Sequence, residues 1–285
     1  MSATTRDVSV ARPTPASPSD ASAAPPSRTT STRRSHAVES TDLPQYSVRR
    51  TLGTWAAAAV PMGALAWVVA PMLAHTFDGP SAWPRAIVLS LTVGLVWQFI
   101  LVLLLVHREQ GSLRWTVVKH ALWLRKPQSP RTGRRGGRLW LIAIPLIFAV
   151  ALKEELVKLP APSDRDQALF LQSAAGQEFF SGNWPWFAVI VTMMVFNTVL
   201  GEELLFRGLL LPRMRGSFGR WDWAANGVLW AGYHLHVPWA IPGTLVESLL
   251  VAYPSRRYRS TWIGIIVHSA QTLVFSVLIL TIVLK

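Results

Sequence analysis

Two glutamates and one arginine stand inside an apolar run at residues 184–211. Glu203 and Arg207 are four residues apart, so a helix places them on one face, where they can form an ion pair. Glu202 is turned by roughly 100° from that face and reaches the arginine less easily. Ionisable groups within hydrocarbon are costly and usually functional, so a carboxylate with no cation beside it is a candidate general base. The alternative is a buried ion pair that fixes helix packing, although this gives the second carboxylate no purpose.

Three histidines occupy the later apolar runs. His234 follows Trp230 by four residues, and His268 precedes Thr272 by the same interval, so each pair shares a helix face. On a continuous helix His236 lies roughly 200° round from His234. We therefore interpret His236 as a packing or interfacial residue that points elsewhere.

Depth in the membrane provides a consistency test for these groups. At 1.5 Å per residue, Glu202, His234 and His268 each lie roughly 12–17 Å from the cytoplasmic end of their segment. We expect the three side chains to meet at one level, reached from the cytoplasmic side.

Two further groups of acidic residues lie in or beside the apolar segments. Glu247 lies in a short apolar segment, and either joining the site or pairing with an arginine fits its position. A second glutamate pair, Glu154 and Glu155, stands between Lys153 and Lys158. We interpret this motif as an exposed helix end with local ion pairs.

The elements that must position these residues are apolar segments. They lie at about 53–75, 86–106, 139–153, 187–211, 223–240, 241–253 and 260–283. A bilayer core needs about 20 helical residues, which four segments meet comfortably, whereas the segments at 139–153 and 241–253 are short. The pattern predicts an all-α, polytopic helical membrane protein with about seven transmembrane helices, in a range of six to eight.

The distribution of charge agrees with this fold. The 285-residue chain has a net charge of +13 beside 51% hydrophobic residues and a mean hydropathy of +0.30. Residues 107–138 hold nine basic residues and one acid, Glu109, a net charge of +8 in one loop. Lys- and Arg-rich loops stay cytoplasmic, so the excess charge indicates topology, with a cytoplasmic N-terminus, and not a nucleic-acid surface.

The start of the chain differs from the rest. Residues 1–48 are rich in Ala, Ser, Thr, Pro and Arg and have no apolar run, which predicts a disordered cytoplasmic tail. Residues 49–285 form the predicted helical membrane domain. Cysteine is absent, which excludes disulfides and cysteine-ligated metal sites.

The spacing of the intramembrane polar residues resembles a known signature. The three motifs are Glu202-Glu203-x-x-x-Arg207, Trp230-x-x-x-His234 and His268-x-x-x-Thr272. They are similar to those of the CPBP family, the CAAX-protease and bacteriocin-processing group of intramembrane proteases. The resemblance covers a core at about 180–275. The second family motif usually begins with Phe, and the last usually ends in Asn.

The resemblance implies a hydrolase that cleaves a peptide bond within the membrane. Glu202 and His234 would activate the water, Glu203 and Arg207 would position the base, and His268 with Thr272 would hold the oxyanion. A divalent metal such as zinc, if one is used, would be bound by Glu202, His234 and His268, and the sequence leaves open whether the family's chemistry needs one.

Other functions remain open at this stage. A catalytically inactive immunity or scaffold protein of the same fold is the main alternative, favoured by Thr272 in place of Asn. A transporter is the second, because intramembrane Glu and His also relay protons. The expected partners are a membrane or membrane-associated peptide substrate and anionic lipids near the basic loops. Residue usage favours a bacterial plasma membrane.

Overall fold

The computed structural model describes residues 43–285 except 158 and 164, and the side chains of Glu154 and Glu155 lie outside the described part. Regular structure in these residues is helical, with one isolated β-bridge between Gln128 and Arg135. The helices are α1 (Val48–Ala74), α2 (Ala82–Gln110), α3 (Trp115–Ala121), α4 (Ala143–Leu156), α5 (Gln167–Gln172), α6 (Ala174–Phe180), α7 (Trp184–Arg213), α8 (Arg215–Phe218), α9 (Asp222–Tyr233), α10 (Ile241–Tyr258) and α11 (Thr261–Val283).

Four of these helices are long and apolar enough to cross a membrane: α1, α2, α7 and α11. They correspond to the four segments that the sequence analysis found long enough. The predicted count of about seven is not confirmed, because the helices in the other three segments fall short in length or hydropathy. Helix α4 has 14 residues, α9 has 12 and α10 has 18.

The fifth segment is divided for a local reason. Helix α9 ends at Tyr233, a 3₁₀ turn covers His234–His236, and Val237 has an extended φ of −139°. Val237 precedes Pro238, and the proline ring disfavours the α conformation in the residue before it. A second helix then begins at Ile241.

Helix α7 is the centre of the molecule. Every residue from 201 to 214 is buried, and α7 packs against α2, α9 and α11. Its middle is π-helical, at Phe196–Gly201 and Leu204–Leu210, on both sides of Glu202 and Glu203. Short π-helical stretches inside α-helices occur frequently at functional sites.

A polar network fixes the end of α7. Arg213 is fully buried and donates from Nε to Oε2 of Glu109 at 2.8 Å, and from Nη1 to the carbonyl oxygens of Ala121 and Leu209 at 2.9 Å each. The other oxygen of Glu109 accepts from Arg50 at 2.7 Å and from the Tyr46 hydroxyl. Burial raises the pKa of Tyr46, so its hydroxyl stays protonated and donates.

The predicted tail falls mostly on residues 1–42, which lie outside the described residues. Of the rest of that segment, Leu43 and Tyr46 are buried. The Tyr46 amide donates to the Arg213 carbonyl at 2.8 Å, and the Ser217 hydroxyl donates to the Tyr46 carbonyl at 2.6 Å. The stretch before α1 is thus attached to the turn that follows α7.

Candidate active site

Trp230 lies at the centre of the intramembrane polar residues. Its indole Nε1 donates a hydrogen bond to Oε2 of Glu202 at 2.7 Å. Glu202 is 2% exposed and Trp230 is equally enclosed, so this bond is shielded from solvent. A hydrogen bond to a carboxylate in a low-dielectric setting is strong, and it fixes which oxygen of Glu202 is held.

His234 approaches the same oxygen from the turn after α9. Its Nε2 is 3.9 Å from Oε2 of Glu202, which is beyond direct hydrogen-bond distance. The other ring nitrogen, Nδ1, is 2.9 Å from the carbonyl oxygen of Trp230. When Nδ1 donates to that carbonyl, Nε2 is left as an acceptor that faces Glu202.

Glu203 takes part in a separate set of contacts on α7 and α11. Arg207 Nη1 lies 3.5 Å and His268 Nδ1 lies 3.4 Å from Oε1 of Glu203. Glu203 and Arg207 have no exposed side-chain surface, and His268 is nearly enclosed. The spacing of four residues thus gives the expected Glu203–Arg207 pair, and His268 joins it as a third member.

Gly264 provides the space for this arrangement. A Cβ at residue 264 would overlap the Glu203 carboxylate and would lie 3.3 Å from Cγ1 of Val251. Glycine one turn before His268 therefore lets α11 pass directly over Glu203.

Aromatic contacts hold the charged groups around Trp230. The Arg207 guanidinium lies 4.1 Å from the centroid of the indole ring. The rings of His234 and His268 meet the indole edge-on, at centroid distances of 5.2 and 5.4 Å. Trp230 thus contacts both histidines, Arg207 and Glu202. The contact with Arg207 is attractive, because a cation over an indole face is stabilised by the ring.

A cavity of about 210 Å³ opens beside Glu202. Four apolar side chains from α1, α2 and α7 line it together with the polar residues Asn197, Glu202, Tyr233, His234 and His236. This space is several times the roughly 30 Å³ that one water molecule occupies in the liquid. Glu202 and His234 therefore face a space that can receive water and part of a substrate.

The prediction that His236 points away from His234 is wrong. Because α9 ends at Tyr233, the helical angle between His234 and His236 does not apply. Their rings stack at a centroid distance of 5.3 Å, and both line the cavity. Sequence reasoning also missed Tyr233, which lines the cavity, and Gln98, whose side-chain amide donates a hydrogen bond to the Tyr233 hydroxyl. A buried glutamine in the middle of an apolar run was the available signal for Gln98.

Thr272 lies one turn after His268, as the sequence indicates. Its hydroxyl donates to the carbonyl oxygen of His268 at 3.4 Å, a long bond within α11. Its own carbonyl accepts from Ser276 at 2.8 Å. The described contacts of Thr272 thus run along its own helix and do not reach Glu202.

Glu247 and Lys153 form a buried pair that the sequence analysis did not foresee. Lys153 Nζ lies 2.9 Å from Oε2 of Glu247, and the two side chains are 6% and 7% exposed. The prediction of an exposed helix end is therefore wrong for Lys153, whose side chain is buried. Glu247 lies 94 residues away in the chain, and no local spacing could have indicated this contact.

The residues present do not fit a zinc centre as they are arranged. No group of three His, Asp or Glu side chains among the described residues is placed to hold a metal ion. His268 directs Nδ1 to Glu203, whereas His234 approaches Glu202. Bonds from zinc to its ligands of roughly 2.0–2.2 Å would require these three side chains to converge on one point.

Comparison with known families supplies the remaining observation. Residues 183–274 match the family described as type II CAAX prenyl endopeptidase Rce1-like. This segment is an Rce1-like domain. It contains all three motifs, and the match supports an assignment of this segment to the CAAX-protease group of intramembrane proteases. Comparisons with curated proteins and with solved structures gave no match. The four apolar helices and the matched segment together support an integral membrane protein.

Proposed function

We propose that the chain is an intramembrane endopeptidase in which Glu202 activates the attacking water. The observation that carries this proposal is the position of Glu202 and His234 at one cavity. Trp230 holds Oε2 of Glu202, and Nε2 of His234 lies 3.9 Å from that atom. A water molecule roughly 2.8 Å from both atoms satisfies hydrogen-bond geometry with each of them.

The chemistry follows from these positions. The water oxygen attacks the carbonyl carbon of the scissile peptide bond, and its proton passes to the Glu202 carboxylate. The tetrahedral oxyanion receives hydrogen bonds from His268 and Thr272. The carbon–nitrogen bond then breaks, and the proton held by Glu202 passes to the leaving amine. Glu203 and Arg207 fix the part of α7 that carries Glu202.

The proposal includes the orientation of the protein in the membrane. The basic loops lie on the cytoplasmic side with the N-terminus, and the cavity opens toward the cytoplasm. The substrate is a membrane or membrane-associated protein whose cleavage site enters the cavity as an extended segment. Anionic lipid headgroups contact the basic loops.

Replacing Glu202 tests the function directly. Glu202→Gln keeps the shape of the side chain and can no longer accept the proton. The purified protein would be reconstituted in liposomes with a library of quenched fluorescent peptides, and products would be identified by mass spectrometry. We expect cleavage to fall by at least about 10²-fold, the lower range for loss of a general base.

The exposed Glu178 on α6 provides the matched control. Glu178→Gln makes the same chemical change away from the cavity and should leave cleavage unchanged. Full cleavage by Glu202→Gln in correctly inserted protein would exclude the proposed mechanism.

One observation favours a second function, an inactive member of the family. The Thr272 hydroxyl is bonded within α11 instead of standing free at the cavity. Absence of cleavage by the wild-type chain, with gain of cleavage in Thr272→Asn, would support that function.

A further inference from the structure

Asn197 lies in helix α7, one helical turn before Glu202. Residues five apart on a straight α-helix are turned by roughly 140° from each other. Here the N–H of Glu202 bonds to the carbonyl oxygen of Asn197, which is the i to i+5 bond of the π-helical turn Phe196–Gly201. The extra residue in this turn brings both side chains to one side of α7, where both line the cavity of about 210 Å³.

The Asn197 amide is available to a molecule that enters the cavity. The side chain is partly exposed, and no described residue forms a hydrogen bond with its amide. An asparagine amide has two N–H donors and one acceptor oxygen. Since a polar group away from bulk water is costly without a partner, the position favours binding of water or substrate there.

Other polar side chains of the cavity wall are less suited to donate to a negative charge. An ionised Glu202 only accepts, and Nε2 of His234 accepts when Nδ1 donates to a backbone carbonyl. The Tyr233 hydroxyl is bonded to the side-chain amide of Gln98. Asn197 therefore supplies neutral N–H donors beside the proposed base.

The donors proposed on α11 stand apart from this wall. Neither His268 nor Thr272 is among the residues that line the cavity. The Thr272 hydroxyl donates along its own helix, to the His268 carbonyl. The related third motif usually ends in Asn, so the amide that Thr272 lacks is present in this chain on α7, as Asn197.

We propose that Asn197 is a catalytic residue whose side-chain amide donates to the oxyanion of the tetrahedral intermediate. Water held by Glu202 and His234 attacks the peptide carbonyl in the cavity, and negative charge develops on the carbonyl oxygen. Asparagine side chains are suitable donors for such a charge. The inference rests on the proposed peptidase function, and it adds a donor from α7 to those on α11.

Asn197→Leu removes the amide and keeps a branched side chain of similar shape. In the liposome assay we expect kcat to fall by about 10²-fold, the lower range for loss of one oxyanion donor. KM should stay unchanged, because the donor acts on the transition state and not on the bound substrate. Asn197→Ala, with a strong helix former, repeats the test if the larger side chain impairs insertion. Wild-type kcat in a correctly inserted variant would overturn the proposal.

A second amide separates a catalytic role from a structural one. Asn197→Leu combined with Thr272→Asn places the lost group on α11, at the position where the related motif usually has it. We expect this double variant to recover at least about tenfold in kcat over Asn197→Leu alone. An amide on another helix would not restore kcat if Asn197 served only the packing of α7.

Thr198 provides the matched control. This buried residue follows Asn197 on α7 and does not line the cavity, and its hydroxyl donates to the Met194 carbonyl at 3.1 Å. Thr198→Val should leave kcat unchanged, and an equal loss there would overturn the assignment to Asn197. Glu202→Gln in the same assay reports on the peptidase function itself. If that variant is inactive while Asn197→Leu keeps full kcat, only the present inference fails.

Discussion

The indole nitrogen of Trp230 and one carboxylate oxygen of Glu202 are 2.7 Å apart, in a part of the protein that solvent barely reaches. The same ring carries Arg207 on its face and two histidines at its edges. A single aromatic residue thus orients the proposed base and separates it from the Glu203–Arg207 pair. Trp230 occupies the position where the related motif usually has Phe, and a phenyl ring has no N–H to donate.

Trp230→Phe isolates the contribution of that hydrogen bond. The smaller ring keeps an aromatic surface and removes the donor to Glu202, so the carboxylate loses its fixed orientation. A charged hydrogen bond contributes roughly 1.5–3 kcal/mol, which predicts a fall in kcat of about 10- to 100-fold. Kinetics with a cleaved peptide would measure the change.

The control for this change is Trp97→Phe. Trp97 Nε1 donates to the Ala57 carbonyl at 2.8 Å, in a contact between α2 and α1 away from the site. An equal loss of kcat in both variants would show that the Trp230 effect reflects general packing.

Gly264→Ala should disable the site through a single methyl group. The added Cβ overlaps the Glu203 carboxylate, so either α11 or Glu203 must move. We expect a loss of cleavage of about 10²-fold, since a displacement of about 1 Å near the chemistry has effects of that size. Gly53→Ala on α1 is the matched control, because no atom lies within 4 Å of a Cβ there. Wild-type cleavage by Gly264→Ala would contradict the tight packing of α11 over Glu203.

Changes at Thr272 test its part in holding the oxyanion. The hydroxyl makes only a long bond of 3.4 Å within α11, so turning it toward a substrate costs little. Thr272→Val removes the donor and should lower kcat by about 10-fold or more. Loss of one well-placed oxyanion donor lowers kcat by roughly 10²–10³-fold, which sets the upper end of the expected effect. Thr272→Asn supplies a longer donor and should maintain or raise kcat. If both variants match the wild type, Thr272 has no part in the reaction.

Metal removal is expected to leave cleavage unchanged. Among the described residues no three His, Asp or Glu side chains converge on one point. We therefore expect incubation with a strong zinc chelator, followed by desalting, to have no effect on kcat. Elemental analysis of the purified protein is the independent measurement. One zinc per chain, together with loss of cleavage on chelation and recovery on adding zinc, would contradict this expectation.

Glu109→Gln should destabilise the protein without changing the chemistry. It removes the negative charge that neutralises the buried Arg213 and accepts from Tyr46. Breaking one side of a buried pair costs roughly 3–5 kcal/mol. Thermal unfolding in detergent should show a clear drop in midpoint, whereas the folded fraction should keep its kcat. The exposed Glu178→Gln variant should unfold like the wild type.

The proximity of Glu202, His234 and His268 follows from reasoning available in the sequence. Each residue stands at a similar distance from a segment end, which predicts that they lie close together, and Trp230 contacts all three. The pairing of Glu203 with Arg207 follows from the same regularity. The helical membrane architecture is likewise readable from the apolar runs, four of which form helices long enough to span.

Other features of the structure could not be predicted from the helical spacing of residues in the sequence. A proline two residues after His236 ends regular helix near Tyr233, and this places His236 beside His234 instead of opposite it. The pair of Lys153 and Glu247 is set by the packing of α4 against α10. The sequence left open whether Glu247 joins the site or pairs with an arginine, and tertiary packing places Lys153 beside it.

The Lys153–Glu247 contact also bears on biosynthesis. A ribosome produces α4 well before α10, so Lys153 is synthesised at a time when its counter-charge does not yet exist. The nascent chain must therefore keep α4 near water or another partner until residue 247 emerges. The final packing of α4 and the formation of this buried ion pair then become one late event in the folding of the chain.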